Sequence, residues 1–302
     1  MTSGLISHIQ GYSTKDGPGI RTTVFMMQCN LRCLWCSNPE AMLPGKKVLY
    51  YVNRCQRCGS CVRHSSDQAV TMTADGCVID RRRCTNLAEM VNICNYQAYE
   101  LKGQDYTPEQ LAAKLLRDKT FYDVSGGGVT FSGGEPALQY QFVHETVKLL
   151  KKQGVHTALD TAGLFDMTEL DGLINDIDLV ILDLKTFDRQ LHQQLTGVDN
   201  TLILHNAQAI AARHKPMIIS LVIVPTLNDQ ENDVIRRLDF IKNLAADIRQ
   251  VDLLKYHNYG AGKYQALGIP YPLSALPLGD DDQLKHFQQL GLARGLNTTI
   301  GG

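Results

Sequence analysis

The chain has 302 residues, 44% of them hydrophobic, which is enough to bury a barrel-sized core or a domain with an insert, and no apolar run approaches the roughly 18 residues that span a bilayer. A net charge of −1 with scattered basic residues argues against a nucleic-acid partner, and the one dense run, Arg81-Arg82-Arg83, reads as a solvated turn. Nine cysteines, an odd number set at metal-ligand spacings behind a start with no basic-then-apolar leader, point to a reducing cytoplasm and exclude a disulfide framework.

A first strand is predicted over residues 22–27, and directly after it Cys29, Cys33 and Cys36 stand at C-x3-C-x2-C spacing. A closed zinc site wants four Cys or His ligands, and the nearest histidine, His8, lies far upstream. Three buried structural cysteines beside Arg21, Asn30 and Arg32 would form an odd hydrophobic cluster. Three thiolates on a cubic iron–sulfur cluster instead leave one iron open to a small molecule, so this loop reads as a place where chemistry is done.

Residues 50–100 are rich in Cys, Arg and Asn and lack β/α periodicity, which marks an insert after the first strand. They carry a degenerate repeat: Cys55, Cys58, Cys61 and Ser65 step in the same way as Cys84, Leu87, Met90 and Cys94. This is the ladder of a two-cluster ferredoxin, in which the fourth cysteine of each run ligates the other run's cluster. Crossing the two runs leaves Cys55, Cys58, Cys61 and Cys94 as one complete set, while the other set, Cys84, Leu87, Met90 and Ser65, cannot hold iron through thiolates. One auxiliary [4Fe-4S] cluster is therefore expected, with Cys84 a relic and Cys77 unassigned. Zinc on the same four thiolates is the alternative.

From residue 105 onward β-branched runs alternate with amphipathic stretches. Strands are predicted at 128–132, 156–161, 179–185, 217–224 and 251–256, and helices at 108–117, 140–153, 200–213 and 232–244. Six β/α units suggest an α/β fold, a partial (β/α)6 TIM-like barrel with functional residues at the C-terminal ends of its strands. Residues 1–49 and 101–302 would form the barrel and 50–100 a ferredoxin-like insert.

The three loop cysteines together with Thr130-Phe131-Ser132-Gly133-Gly134-Glu135-Pro136 resemble the radical S-adenosylmethionine superfamily. The runs from Tyr12 to Arg21, Ser125 to Gly128 and Tyr256 to Gly260 narrow the resemblance to the activating enzymes of glycyl radical enzymes, in the subgroup with a ferredoxin-like insert that includes the pyruvate formate-lyase and glycerol dehydratase activators. The resemblance implies that Cys29, Cys33 and Cys36 hold a [4Fe-4S] cluster whose open iron is chelated by S-adenosyl-L-methionine, with Gly133, Gly134 and Glu135 at the methionine end. It implies cofactor contacts from Asp160 and Thr161 and from Asp183 and Lys185, the lysine near the carboxylate and the acids near the amino group, the ribose or a monovalent cation. Trp35 and Ser37 resemble positions that pack on and bond to the adenine.

By the same resemblance, Asp16-Gly17-Pro18-Gly19 belongs to the surface that receives the partner's glycine loop. Reductive cleavage of the cofactor gives a 5′-deoxyadenosyl radical, which abstracts a hydrogen atom from a specific glycine of a large glycyl radical enzyme. Flavodoxin or ferredoxin would supply electrons in an anaerobic cytoplasm. The chain departs from the family pattern at Gln28, where glycine is usual, and at Ser220, Ile235 and Lys255, which leaves the contacts on strands five and six, and His257, unassigned. Two rival readings remain: a radical enzyme that modifies a peptide or small molecule directly, and an iron–sulfur electron carrier. The identity of the partner is not legible in one chain.

Overall fold

Runs of β-branched and aromatic residues bounded by Gly, Asn or Asp form thirteen strands among the described residues, 2–244 and 247–301, of a computed structural model. They are β1 (Gly4–Ser13), β2 (Arg21–Met26), β3 (Lys47–Tyr50), β4 (Val70–Thr73), β5 (Gly76–Ile79), β6 (Tyr99–Lys102), β7 (Gln104–Tyr106), β8 (Gly128–Gly133), β9 (His156–Thr161), β10 (Leu179–Asp183), β11 (Met217–Ile223), β12 (Ile248–Lys255) and β13 (Thr298–Ile300). Nine of them form one sheet in the order β13-β12-β11-β10-β9-β8-β2-β1-β7. Between β2 and β12 every neighbouring pair is parallel, which gives the six-stranded partial barrel expected from the periodicity. Strand β1 pairs antiparallel with β2 and with β7, and β13 extends the other edge parallel to β12.

Alternation along these strands sorts side chains by face. Leu159, Leu182, Ile219 and Val251 point outward into the main core, which the helices Tyr140–Lys151, Thr201–Ala212 and Glu231–Lys242 help to cover. Ala158, Ile181 and Ile218 point inward and form a small cluster inside the barrel. Two residues further along β9, β10 and β11, the same inward register carries Asp160, Asp183 and Ser220 to the C-terminal mouth. Strand β8 is buried on both faces from Gly128 to Ser132, with the apolar Val129 and Phe131 on the core side and the polar Thr130 and Ser132 on the other.

The cysteine-rich segment folds on its own small core. Strands β3 and β6 pair antiparallel and close it, β4 and β5 form a hairpin, and two short helices, Ser60–His64 and Met90–Ile93, lie one within each half of the cysteine repeat. Val48, Tyr50, Val70, Met90 and Tyr99 fill its interior with the cysteines around them. The helix Ala261–Leu267 joins it to the barrel: Leu49 packs on Ala266 and Leu267, and Arg81 donates to Val48 O at 2.6 Å and to Ala266 O at 2.7 Å. Of the three consecutive arginines, Arg82 and Arg83 are exposed on a turn as expected, whereas Arg81 is turned inward as this tie.

Candidate functional site

Beyond β2 the chain leaves the sheet and crosses the barrel mouth as an irregular loop held by backbone hydrogen bonds. Arg32 N donates to Thr196 O at 2.7 Å and Leu34 N to Leu195 O at 3.0 Å, both carbonyls at the end of the helix Arg189–Thr196. Asn30 Nδ2 donates to Leu164 O at 2.7 Å, and Cys36 N closes a turn onto Cys33 O at 3.1 Å. On the other side Gly134 N donates to Met26 O and Glu135 N to Gln28 O, at 2.9 and 2.7 Å.

Those contacts explain the two glycines. A Cβ on Gly133, whose φ is +107°, would lie 2.3 Å from Met26 N, and one on Gly134 would lie 2.1 Å from Gln28 O. No side chain fits where the end of β8 meets the loop, so the glycines serve chain-to-chain approach as well as lining the cavity. Glu135 is fully buried and turns away from that cavity. Its carboxylate accepts from Ala137 N at 3.1 Å, Thr161 Oγ1 at 2.8 Å and Ala162 N at 2.9 Å, which ties the exit of β8 to the exit of β9.

Loop and strand ends enclose a cavity of about 450 Å³. Cys29, Cys33 and Cys36 face it from the loop with Trp35 and Ser37 beside them, and Asp160, Thr161, Asp183 and Lys185 face it from the strand ends. The sequence reading had left one wall unassigned. Ser220, Asp252, Lys255 and His257 form it, and inward alternation along β12 could have flagged Asp252. Lys15, Asp16 and Gly17 reach the cavity from the β1–β2 connection, whereas Ile235 lies on the outer helix Glu231–Lys242.

The electrostatics separate two halves. Burial pushes the Cys33 thiol up to about 12 and the Cys36 thiol up to about 11, and it raises Cys29 as well. Yet Leu31 N points at Cys29 Sγ and Asn38 N at Cys36 Sγ, each at 3.4 Å. Half-buried thiols, two of them with amide donors aimed at the sulfur, suit thiolates bound to metal, since coordination removes the proton that a desolvated thiol retains. Facing them, Asp160 accepts from Ser132 Oγ at 2.5 Å and is pushed up to about 8 by burial and by Asp183. Lys185 is ion-paired with Asp183. Burial opposes its charge, but the Asp183 carboxylate outweighs that and holds the ammonium protonated.

In the insert, Cys55, Cys58, Cys61 and Cys94 border one small cavity together with Tyr96 and Tyr99. Cys84 is buried elsewhere in the insert core, near Asn86 Oδ1. Cys77 Sγ stands 3.3 Å from Cys61 Sγ. Among the described residues no three His, Cys, Asp or Glu side chains converge on a single ion position, and no helix is long and apolar enough to cross a membrane.

A parallel partial barrel whose mouth presents three thiols to a polar cavity defines a class of cluster-bearing enzymes. Residues 23–238 match the Radical SAM superfamily. The (2S)-3-sulfopropanediol dehydratase activating enzyme of Klebsiella oxytoca is 33% identical over 99% of this chain and 97% of its own length. The benzylsuccinate synthase activating enzyme of Thauera aromatica is 35% identical over 99% and 92%. A solved domain of pyruvate-formate lyase-activating enzyme from Bacteroides vulgatus superposes with a TM-score of 0.51 at 29% identity, covering 59% of this chain and 100% of that one. The chain belongs to the radical SAM superfamily, among the activating enzymes of glycyl radical enzymes, and its cofactors are a [4Fe-4S] cluster and S-adenosylmethionine.

Proposed function

We propose that this protein activates one glycyl radical enzyme and that Cys29, Cys33 and Cys36 are the thiolates of its loop cluster. The observation that carries the assignment is that three half-buried thiols, two with backbone amides aimed at their sulfurs, face one cavity whose far wall is charged. When bound, the cluster and S-adenosylmethionine supply an electron and an adenosyl radical that removes a hydrogen atom from a glycine Cα of the partner. The chain's own residues bind and orient. Lys185 takes the cofactor carboxylate by sharing its charge with Asp183, and Asp160 and Asp183 take the ammonium or ribose groups, with room in the charge balance for a monovalent cation. Trp35, packed against Cys33 and Tyr256, and Ser37 flank the adenine. Gly133 and Gly134 meet the methionine end through backbone, and Glu135 acts as a positioning residue behind them. A hydrogen atom carries its own electron, so no acid or base is assigned to the abstraction, and positioning dominates.

The division into a barrel, residues 1–49 and 101–302, and an insert, 50–100, is supported by the β3–β6 pairing that closes the segment on itself. We assign the insert a single [4Fe-4S] cluster on Cys55, Cys58, Cys61 and Cys94. Their shared cavity supports that set, and iron and acid-labile sulfide quantitation separates it from zinc on the same four thiolates. Flavodoxin or ferredoxin is the proposed donor, and the anaerobic cytoplasm the proposed setting, because such clusters are lost to oxygen. Anaerobic incubation of the reduced protein and S-adenosylmethionine with a panel of glycyl radical enzymes tests the reading. One partner should acquire a glycine-centred radical doublet in its electron paramagnetic resonance spectrum. Cofactor cleavage with no doublet on any partner, and with a modified small molecule or peptide, would replace it.

A further inference from the structure

Cys77 belongs to neither ligand set, yet its sulfur touches a member of one. Cys77 Sγ lies 3.3 Å from Cys61 Sγ, and no other two cysteine sulfurs are in such contact among the described residues. Cys61 sits in the helix Ser60–His64, is 8% exposed, and borders the small cavity it shares with Cys55, Cys58 and Cys94. Cys77 is half-buried on β5, opposite Met72 of β4, and stands outside that cavity, against the side of Cys61. Its position is fixed through its backbone. The Cys77 amide donates to the Tyr50 hydroxyl at 2.8 Å, and Tyr50 packs on Tyr99 across the β3–β6 pair with ring centroids 5.0 Å apart. Both thiols therefore meet within the packed core of the insert, beside Val70 and Met90.

Each thiolate of a cubic cluster holds its own iron, so a sulfur already touching Cys61 is not a fifth ligand of the insert cluster. Two thiols in contact have another chemistry open to them. Loss of two electrons closes them into a disulfide, for which these sulfurs must approach by a further ~1 Å. We propose that Cys61 and Cys77 form a redox switch in the insert: when the cluster is lost to an oxidant, Cys61 leaves iron and closes a disulfide with Cys77. The inference rests on the assignment of Cys61 to the insert cluster made above. With hydrogen peroxide as oxidant, the Cys61 thiolate facing the cavity attacks one peroxide oxygen, the O–O bond breaks, and a sulfenic acid and one water result. The Cys77 sulfur then attacks the Cys61 sulfur, the S–O bond breaks, and the oxygen departs as a second water with the Cys77 proton. Two thiols have lost two electrons and two protons, and one peroxide has become two waters. Because the sulfurs are already in contact, this step is intramolecular and outruns the second peroxide attack that would carry Cys61 on to an irreversible sulfinic acid. Cys61 cannot hold iron and Cys77 at once, so the loaded and disulfide states exclude each other. Cluster assembly then waits for a thiol reductant to release Cys61.

The test is a peptide map of the full-length, anaerobically reconstituted protein, alkylated before and after exposure to hydrogen peroxide. Before exposure no disulfide-linked peptide should be present. Afterwards the peptides holding Cys61 and Cys77 should be joined by a bond that dithiothreitol breaks. Cys77→Ser should lose the linked peptide, carry Cys61 as its sulfinic acid, and regain less iron than the unsubstituted protein when reductant, iron and sulfide are returned. Cys84→Ser, which removes the other insert cysteine outside the ligand set, should keep the link. Cys61 left unlinked in the oxidised unsubstituted protein, or linked to Cys55, Cys58 or Cys94, would overturn the proposal and leave Cys77 a packing residue. Reconstitution to about four irons per chain in place of about eight would instead overturn the insert-cluster assignment, and iron content is measured before the oxidant is added, so the two failures are distinguishable.

Discussion

Gln28 holds the backbone at φ +75° immediately before the first loop cysteine, in the left-handed region that costs an L-residue with a side chain roughly 1 kcal/mol. Its carbonyl accepts from Glu135 N and closes over Gly134, so the conformation is imposed by the junction of the loop with the end of β8. Gln28→Gly should therefore raise unfolding stability by about 0.5–1 kcal/mol while leaving iron content unchanged, measured by urea denaturation of anaerobic protein. At this scale much of the site was legible. Thiol spacing picked out Cys29, Cys33 and Cys36, and the family resemblance picked out Asp160, Asp183 and Lys185, all of which face one cavity. What the sequence could not show is that the Glu135 carboxylate is consumed by three donors, because that depends on where Thr161 and Ala162 of the neighbouring strand come to rest.

Helices and strands place those side chains, and one outer helix does so through a buried charge. Arg237 is fully buried, with Nε 2.9 Å from Asp233 Oδ2. Its Nη2 donates to Asn228 O and its Nη1 to Lys185 O, while Asn228 Nδ2 donates to the same Lys185 carbonyl at 2.7 Å. Asp233 Oδ1 also accepts from Thr186 Oγ1, Phe187 N and Asp188 N, so the stretch just past β10 hangs on this network. Asp233→Ala would strand the buried guanidinium and should cost about 3–5 kcal/mol. It should also raise the KM for S-adenosylmethionine more than it lowers kcat, because Lys185 loses its support while the cysteine loop is untouched. Strands β8 to β12 were readable from β-branched runs, but β1 and the helix Arg189–Thr196 were missed. The helix carried its own signals, an Asp188 N-cap bonded to Leu191 N and Gly197 at φ +84° after its end. Strand β1 alternates weakly and has an irregular register with β2, so nothing in its sequence marked it as a sheet strand.

The whole molecule is a barrel with a cysteine-bearing module bolted beside its mouth. Arg81 and the helix Ala261–Leu267 make the joint, and the same helix touches the cysteine loop, so the two cysteine sites share one structural neighbour. The grouping of Cys55, Cys58, Cys61 and Cys94 around one cavity could be anticipated from the repeat, because a ferredoxin ladder pairs the first three cysteines of one run with the fourth of the other. The closeness of Cys77 to Cys61 could not, since it follows from the hairpin register that sets Met72 opposite Cys77. Full occupancy of both sites implies about eight irons per chain, and about twelve would contradict a single auxiliary cluster. The most direct measurement on the central claim is methionine release by the anaerobically reconstituted, dithionite-reduced protein given S-adenosylmethionine. The unsubstituted chain should release methionine well above background and Cys33→Ala should release none. Background-level release from fully iron-loaded protein, or equal release from Cys33→Ala, would contradict the account.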